Sequence, residues 1–111
     1  MATNNFKNAK ARLVGLAAVS VLTAPAGTKE FVLVGATLCN RTLNTVKADM
    51  YITDAGGDTY FVDDVEIPAG ASLVAIGGEQ KVALMANDVV KVKADTASSL
   101  DVILSYLEIT P

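Results

Sequence analysis

Glu30-Phe31-Val32-Leu33-Val34-Gly35-Ala36-Thr37-Leu38-Cys39-Asn40 decides how this chain is read. Nine consecutive residues, Phe31 to Cys39, carry no charge. Both alternating sets are largely apolar: Phe31, Leu33, Gly35, Thr37 and Cys39 on one side, Val32, Val34, Ala36 and Leu38 on the other. The β-branched content and the flanking turn residues favour a strand over a helix. A strand apolar on both faces is covered on both faces, in an antiparallel protein by a core on one side and often another subunit on the other. Cys39 reads as a small buried hydrophobe, since this run offers no electropositive, exposed setting for a reactive thiol.

Outward from this strand, the pattern stays β. Val46 to Thr53 alternates cleanly, with Val46, Ala48, Met50 and Ile52 on one face. Val89 to Ala94 alternates too, and Leu100 to Ile109 is a long last strand. Further strands are expected at Leu13–Thr23 (with a bulge or bend at Gly15), Thr59–Ile67 (interrupted at Asp63-Asp64), Ser72–Ile76 and Lys81–Met85. Turn signals separate them: Asp54-Ala55-Gly56-Gly57-Asp58, Gly77-Gly78 and a repeated Pro-Ala-Gly at Pro25 and Pro68. About eight strands without a convincing helix predict one all-β domain, an antiparallel sandwich of jelly-roll type over 13–111. The 111 residues are enough for one such domain.

Residues 1–12 are polar, with Phe6 as their single large apolar side chain. They read as an extended N-terminal arm that orders by packing on a neighbour. Lys7, Lys10 and Arg12 ahead of the apolar Leu13 to Leu22 imitate a secretory signal. The run is too short to span a bilayer, and its Pro-Ala-Gly recurs downstream as a turn, so the segment is expected to belong to the fold.

Charge is unevenly placed. Four of the nine basic residues, and none of the twelve acids, lie within residues 1–29; residues 30–111 carry the other five bases and all the acids. The first part is therefore +4 and the second −7. A basic segment on an acidic body suits docking onto an acidic partner. Apolar residues make up 51% and charged residues 19%, against roughly 45–50% and 25% in soluble domains. The excess points toward buried protein–protein surface.

The chain has no histidine and one cysteine. That removes the usual general base, the Ser-His-Asp triad and most zinc sites. The best metal candidate is the acidic stretch Asp54, Asp58, Asp63 and Asp64, but its spacing is not that of a calcium loop, so solvated turn and edge carboxylates are the expectation. Neither cofactor nor metal is expected, and no enzymatic activity. Lys91 and Lys93 on an acidic body make a poor phosphate surface, which argues against nucleic acid.

Ala24-Pro25-Ala26-Gly27, the Phe31–Asn40 strand, Asp49-Met50-Tyr51-Ile52-Thr53-Asp54, Ile67-Pro68-Ala69-Gly70 and Asp101-Val102-Ile103-Leu104-Ser105-Tyr106-Leu107-Glu108 follow in an order that resembles small virion proteins of tailed bacteriophages. The chain is most similar to the capsid cement (staple, or head-decoration) proteins of epsilon-fifteen-like short-tailed phages. The resemblance implies a jelly-roll domain made in the host cytoplasm. It homodimerises on the outer surface of the icosahedral head, bridges neighbouring major capsid proteins and stabilises the shell. Phe6, Lys7, Lys10 and Arg12 are the residues expected to reach the capsid protein, the phenyl ring as anchor and the cations as steering groups. Two other readings stand beside it: a tail, neck or fibre-associated subunit, and a small lectin-like or calcium-dependent binding module.

Overall fold

The computed structural model describes residues 3–27, 29–77 and 81–111. Nine strands form two sheets: β1 (Thr3–Val14), β2 (Val19–Thr23), β3 (Glu30–Asn40), β4 (Val46–Asp54), β5 (Gly57–Ile67), β6 (Ser72–Ile76), β7 (Val82–Leu84), β8 (Val89–Ala94) and β9 (Leu100–Thr110). One sheet has the order β1-β9-β3-β6, with β7 also pairing to β3; the other has the order β2-β8-β4-β5. Every pairing is antiparallel. The pairs are nested: β1 with β9, β2 with β8, β3 with β6 and β7, β4 with β5. This is a long hairpin rolled up on itself, the wrapping of a jelly roll, as the alternation and turn spacing predict.

The core lies between the sheets. Leu33, Leu38, Leu100 and Leu104 from the first sheet meet Val46, Met50, Val90 and Val92 from the second, all fully buried. Both Pro-Ala-Gly turns and the Gly56-Gly57 hairpin form as expected, whereas Gly78 of the expected Gly77-Gly78 turn lies outside the described residues. Gly27 and Gly70 of the two Pro-Ala-Gly copies both have positive φ, 105° and 69°, which glycine adopts without steric cost. The second copy is closed by the Ala71 N–H donating to the Pro68 carbonyl at 3.0 Å.

Three sequence expectations change. First, residues 3–12 run as the bulk of β1, paired with β9 from Thr3↔Thr110 to Ala11↔Val102. The long last strand offers more backbone than β3 alone uses, and the polar segment fills that row of hydrogen-bonding groups. Second, Leu13–Thr23 is not one strand. The chain crosses between sheets at Gly15, where a Cβ would lie 3.0 Å from the Ser98 nitrogen.

Third, the two faces of β3 exchange midway. Leu33 pairs with Tyr106 and Gly35 with Ser105, so Val34 is an extra residue, a β-bulge. One added residue reverses the alternation beyond it. Phe31 and Leu33 point into the core before the bulge, and Ala36, Leu38 and Asn40 after it. Thr37 and Cys39 turn outward, and Cys39 is half-buried on the outer face instead of in the core.

Asn40, fully buried at the end of β3, ties the β3–β4 loop to the β5–β6 turn. Its Nδ2 donates to the carbonyls of Asn44 and Ile67, each at 2.8 Å, and of Pro68 at 3.2 Å. Its Oδ1 accepts from the Thr42 N–H at 2.9 Å and the Thr42 hydroxyl at 2.8 Å. Replacing it with alanine strands several buried polar groups. Asn40→Ala is expected to destabilise the domain by about 2–3 kcal/mol in urea denaturation, whereas Asn44→Ala, whose exposed side chain is in none of these bonds, should be close to neutral.

Candidate interaction surface

The two outer faces differ in chemistry. That of the β2-β8-β4-β5 sheet is charged: Lys47 and Glu66 lie opposite one another, as do Asp49 and Lys93. Tyr51 and Tyr60 stack there, ring centroids 4.6 Å apart. Burial raises the Tyr51 phenol above its ordinary range, with Asp58 adding to the shift.

The outer face of the other sheet carries an apolar stripe beside the polar Asn8, Ser105 and Asp101. Cross-strand pairing puts Phe6 beside Leu107, Leu107 beside Val32, Lys10 beside Ile103, Ile103 beside Thr37, and Thr37 beside Val74. Phe6 is 78% exposed, Val74 64% and Ile103 45%. A shallow depression of about 200 Å³ crosses it, lined by Lys10, Arg12, Thr37, Cys39, Asp101 and Ile103, among others. Arg41 and Asp101 form an ion pair at 3.3 Å at the same end of β9. The β3 strand thus lies between a core and a second, unpartnered apolar face.

The four residues expected to reach a partner share β1 and separate in role. All four are exposed. Lys7 alone is tied within the chain: its Nζ donates to Glu108 Oε2 at 2.9 Å, with Lys29 Nζ 3.5 Å from the other carboxylate oxygen. The hydrogen bond from Lys7 holds the Glu108 carboxyl below its usual range despite its burial. The same bond raises the Lys7 ammonium. The pair pins β1 to β9 where the apolar core ends at Phe31 and Tyr106, whose rings lie 4.8 Å apart. Glu108 is the residue that sequence reasoning missed. Its signal was an acid at an inward position of an otherwise apolar alternating strand.

The acidic candidates part company. Asp54 Oδ1 accepts from the Gly56 N–H at 2.8 Å, and Asp58 Oδ1 from the Thr53 hydroxyl at 2.7 Å, both inside the β4–β5 hairpin. Asp63 and Asp64 come together with Asp49, their carboxylates within 4.8 Å of one another. The Asp64 N–H donates to Asp49 Oδ1 at 2.7 Å, and Lys93 Nζ is 3.9 Å from Asp49. A bulged turn with Asp64 at φ 49° brings them there, and these internal partners account for the grouping.

No protein-family model matches the chain. A search of curated proteins finds no match. Among solved structures, the fold is similar to a chain in the acidic stable capsid structure of Helicobacter pylori bacteriophage KHP30, with TM-score 0.58 and 13% identity over 100% of this chain and 94% of that one. It is equally similar to a chain in the structure of Bacillus endospore appendages, described as disulfide-linked pili, with TM-score 0.57 and 12% identity over 98% of this chain and 88% of that one.

Glu108 sets a pH dependence. A carboxyl with a lowered folded pKa contributes stability above its unfolded pKa and loses it as pH falls through the folded value. The raised Lys7 ammonium contributes below its unfolded pKa and loses it as pH rises through the folded one. Glu108→Gln is therefore expected to flatten the acid side of a plot of melting temperature against pH.

Proposed function

We propose that this chain is a structural virion protein, a head-decoration subunit that binds the outer surface of an icosahedral shell. The carrying observation is the apolar outer face of the β1-β9-β3-β6 sheet on a jelly roll that matches a phage capsid chain in fold along its whole length. An exposed apolar face with polar margins is what a protein-binding surface looks like. The resemblance to phage cement proteins names the partner as the major capsid protein.

Mechanistically the surface would act by area. A standard interface buries roughly 800 Å² on each partner, and burial stabilises by about 25 cal/mol per Å² before the costs of association. Phe6 is the anchor, because a large aromatic ring exposed at the edge of the face suits a pocket on the partner. Lys10 and Arg12 stand where the face meets the free edge of β1, within reach of both the shell and a lateral neighbour. Lys7, bound to Glu108, serves by positioning β1. Contacts of this kind, repeated over a shell and bridging neighbouring capsid proteins, resist rupture together. The resemblance further implies a homodimer.

The likeness to a pilus chain supports a second reading as a fibre or tail-associated subunit. Quantitative mass spectrometry and imaging of purified phage particles separate the two. The decoration reading expects the chain on the head exterior in numbers comparable to the major capsid protein; a few copies confined to the tail would replace it with the second reading. On heads stripped of the chain, rebinding of Phe6→Ala is expected to be weaker by about tenfold or more, with an unchanged melting temperature because the ring is exposed. Rebinding equal to that of the natural chain would remove Phe6 as anchor.

A further inference from the structure

The uneven charge of the sequence becomes a spatial arrangement in the fold. β1 carries Lys7, Lys10 and Arg12 and no acid. β5 carries Asp58, Asp63, Asp64 and Glu66 and no base. Each is the terminal strand of its own sheet. Across the layers β1 packs near β2 and β5 near β6, which puts the two on opposite flanks of the sandwich. They are alike in length, 12 and 11 residues, so each spans about 35–40 Å. In a molecule of 49 × 28 × 21 Å, both edges run along the long side.

Lys7 is paired with Glu108, but neither edge is fully neutralised from within. Among the described residues, Lys10 and Arg12 form no ion pair, and neither do Asp63 and Glu66. Lys47 lies opposite Glu66 on β4, and Lys93 answers Asp49 behind the Asp63-Asp64 bulge. The β5 edge remains net acidic after both are counted. Both edges also carry a bulge, with Leu13 at φ 50° in β1 and Asp64 at φ 49° in β5. Such irregularities discourage an unbroken ladder with a foreign strand. Side-chain charge, then, is what these edges offer.

We propose that copies of this chain associate head to tail, the basic β1 edge of one copy against the acidic β5 edge of the next. A two-fold contact through β1 would set Lys10 and Arg12 against their own copies, and one through β5 would set its acids against acids. Only the mixed contact is complementary, and like-charge juxtaposition is strongly disfavoured. Because the two edges lie on opposite flanks, each copy keeps one free after the first contact. Association therefore continues beyond a dimer, into a ring or an open row, in place of the two-fold dimer that the resemblance implies. The apolar outer face stays available throughout. The contact stands apart from the decoration reading, because it is tested on the chain alone.

The test is sedimentation velocity of the full chain over a range of concentration and ionic strength. The natural chain is expected to form species larger than a dimer at low salt and to lose them as salt is raised. Lys10→Glu/Arg12→Glu on one edge and Asp63→Lys/Glu66→Lys on the other should each weaken self-association by about tenfold or more. An equimolar mixture of the two variants should regain it. A natural chain that stays monomeric, or stops at a closed dimer, overturns the proposal, and so does a β5 variant that associates like the natural chain. Circular-dichroism melting verifies folding. Should a charge-reversed variant unfold, Lys10→Gln/Arg12→Gln and Asp63→Asn/Glu66→Gln take its place, and undiminished association in either neutral variant overturns the proposal equally.

Discussion

One extra residue at Val34 in β3 governs which side chains this protein buries and which it shows. β3 is the central strand of its sheet, bonded to β9 on one side and to β6 and β7 on the other. Without the bulge, strict alternation would send Leu33, Gly35, Thr37 and Cys39 to the same face. With it, Leu33 and Leu38 both reach the core at no measurable exposure, and Thr37 and Cys39 move outside. The core gains a leucine where it would have had a threonine. The outer face receives half-buried, uncharged side chains from the middle of the molecule, and its apolar character follows.

That arrangement leaves the two sides of the sandwich unequal. The β2-β8-β4-β5 sheet shows water a mixture of lysines and carboxylates, the ordinary dress of an antiparallel sheet. The other sheet shows Phe6, Val74 and Ile103 over half-buried Val32, Thr37, Cys39 and Leu107. The asymmetry would be lost if β1 were absent, because Phe6 and the basic margin belong to that strand. Few of its side chains are buried, so β1 is held chiefly by its backbone pairing to β9 and by the Lys7–Glu108 bond. A strand fixed this way can give its side chains to contacts outside the molecule.

Electrostatics follows the same logic of placement. Along the chain, the bases come early and the acids late. Rolling the hairpin puts the early strand at the rim of one sheet and the acid-rich β5 at the opposite rim of the other. Neither pattern alone makes a bipolar molecule; the nested pairing does. The grouping of Asp49 with Asp63 and Asp64 arises similarly, from a bulge in β5 opposite Asp49 of the paired β4.

The sequence by itself determined the all-β class, the turns and most strand positions, because these rest on short-range rules: alternation along a pleated strand and glycine where φ is positive. It also marked Phe31–Cys39 as largely apolar on both faces and the N-terminal segment as the carrier of the early charges. Only the tertiary structure decided that residues 3–12 form a sheet edge, since a polar strand is defined by the backbone that pairs with it and leaves no periodic signal. It likewise decided the reversal at Val34 and the burial of Glu108 against Lys7. A bulge is visible only as a register between two strands, and an ion pair spanning a hundred residues exists only once the first strand lies beside the last.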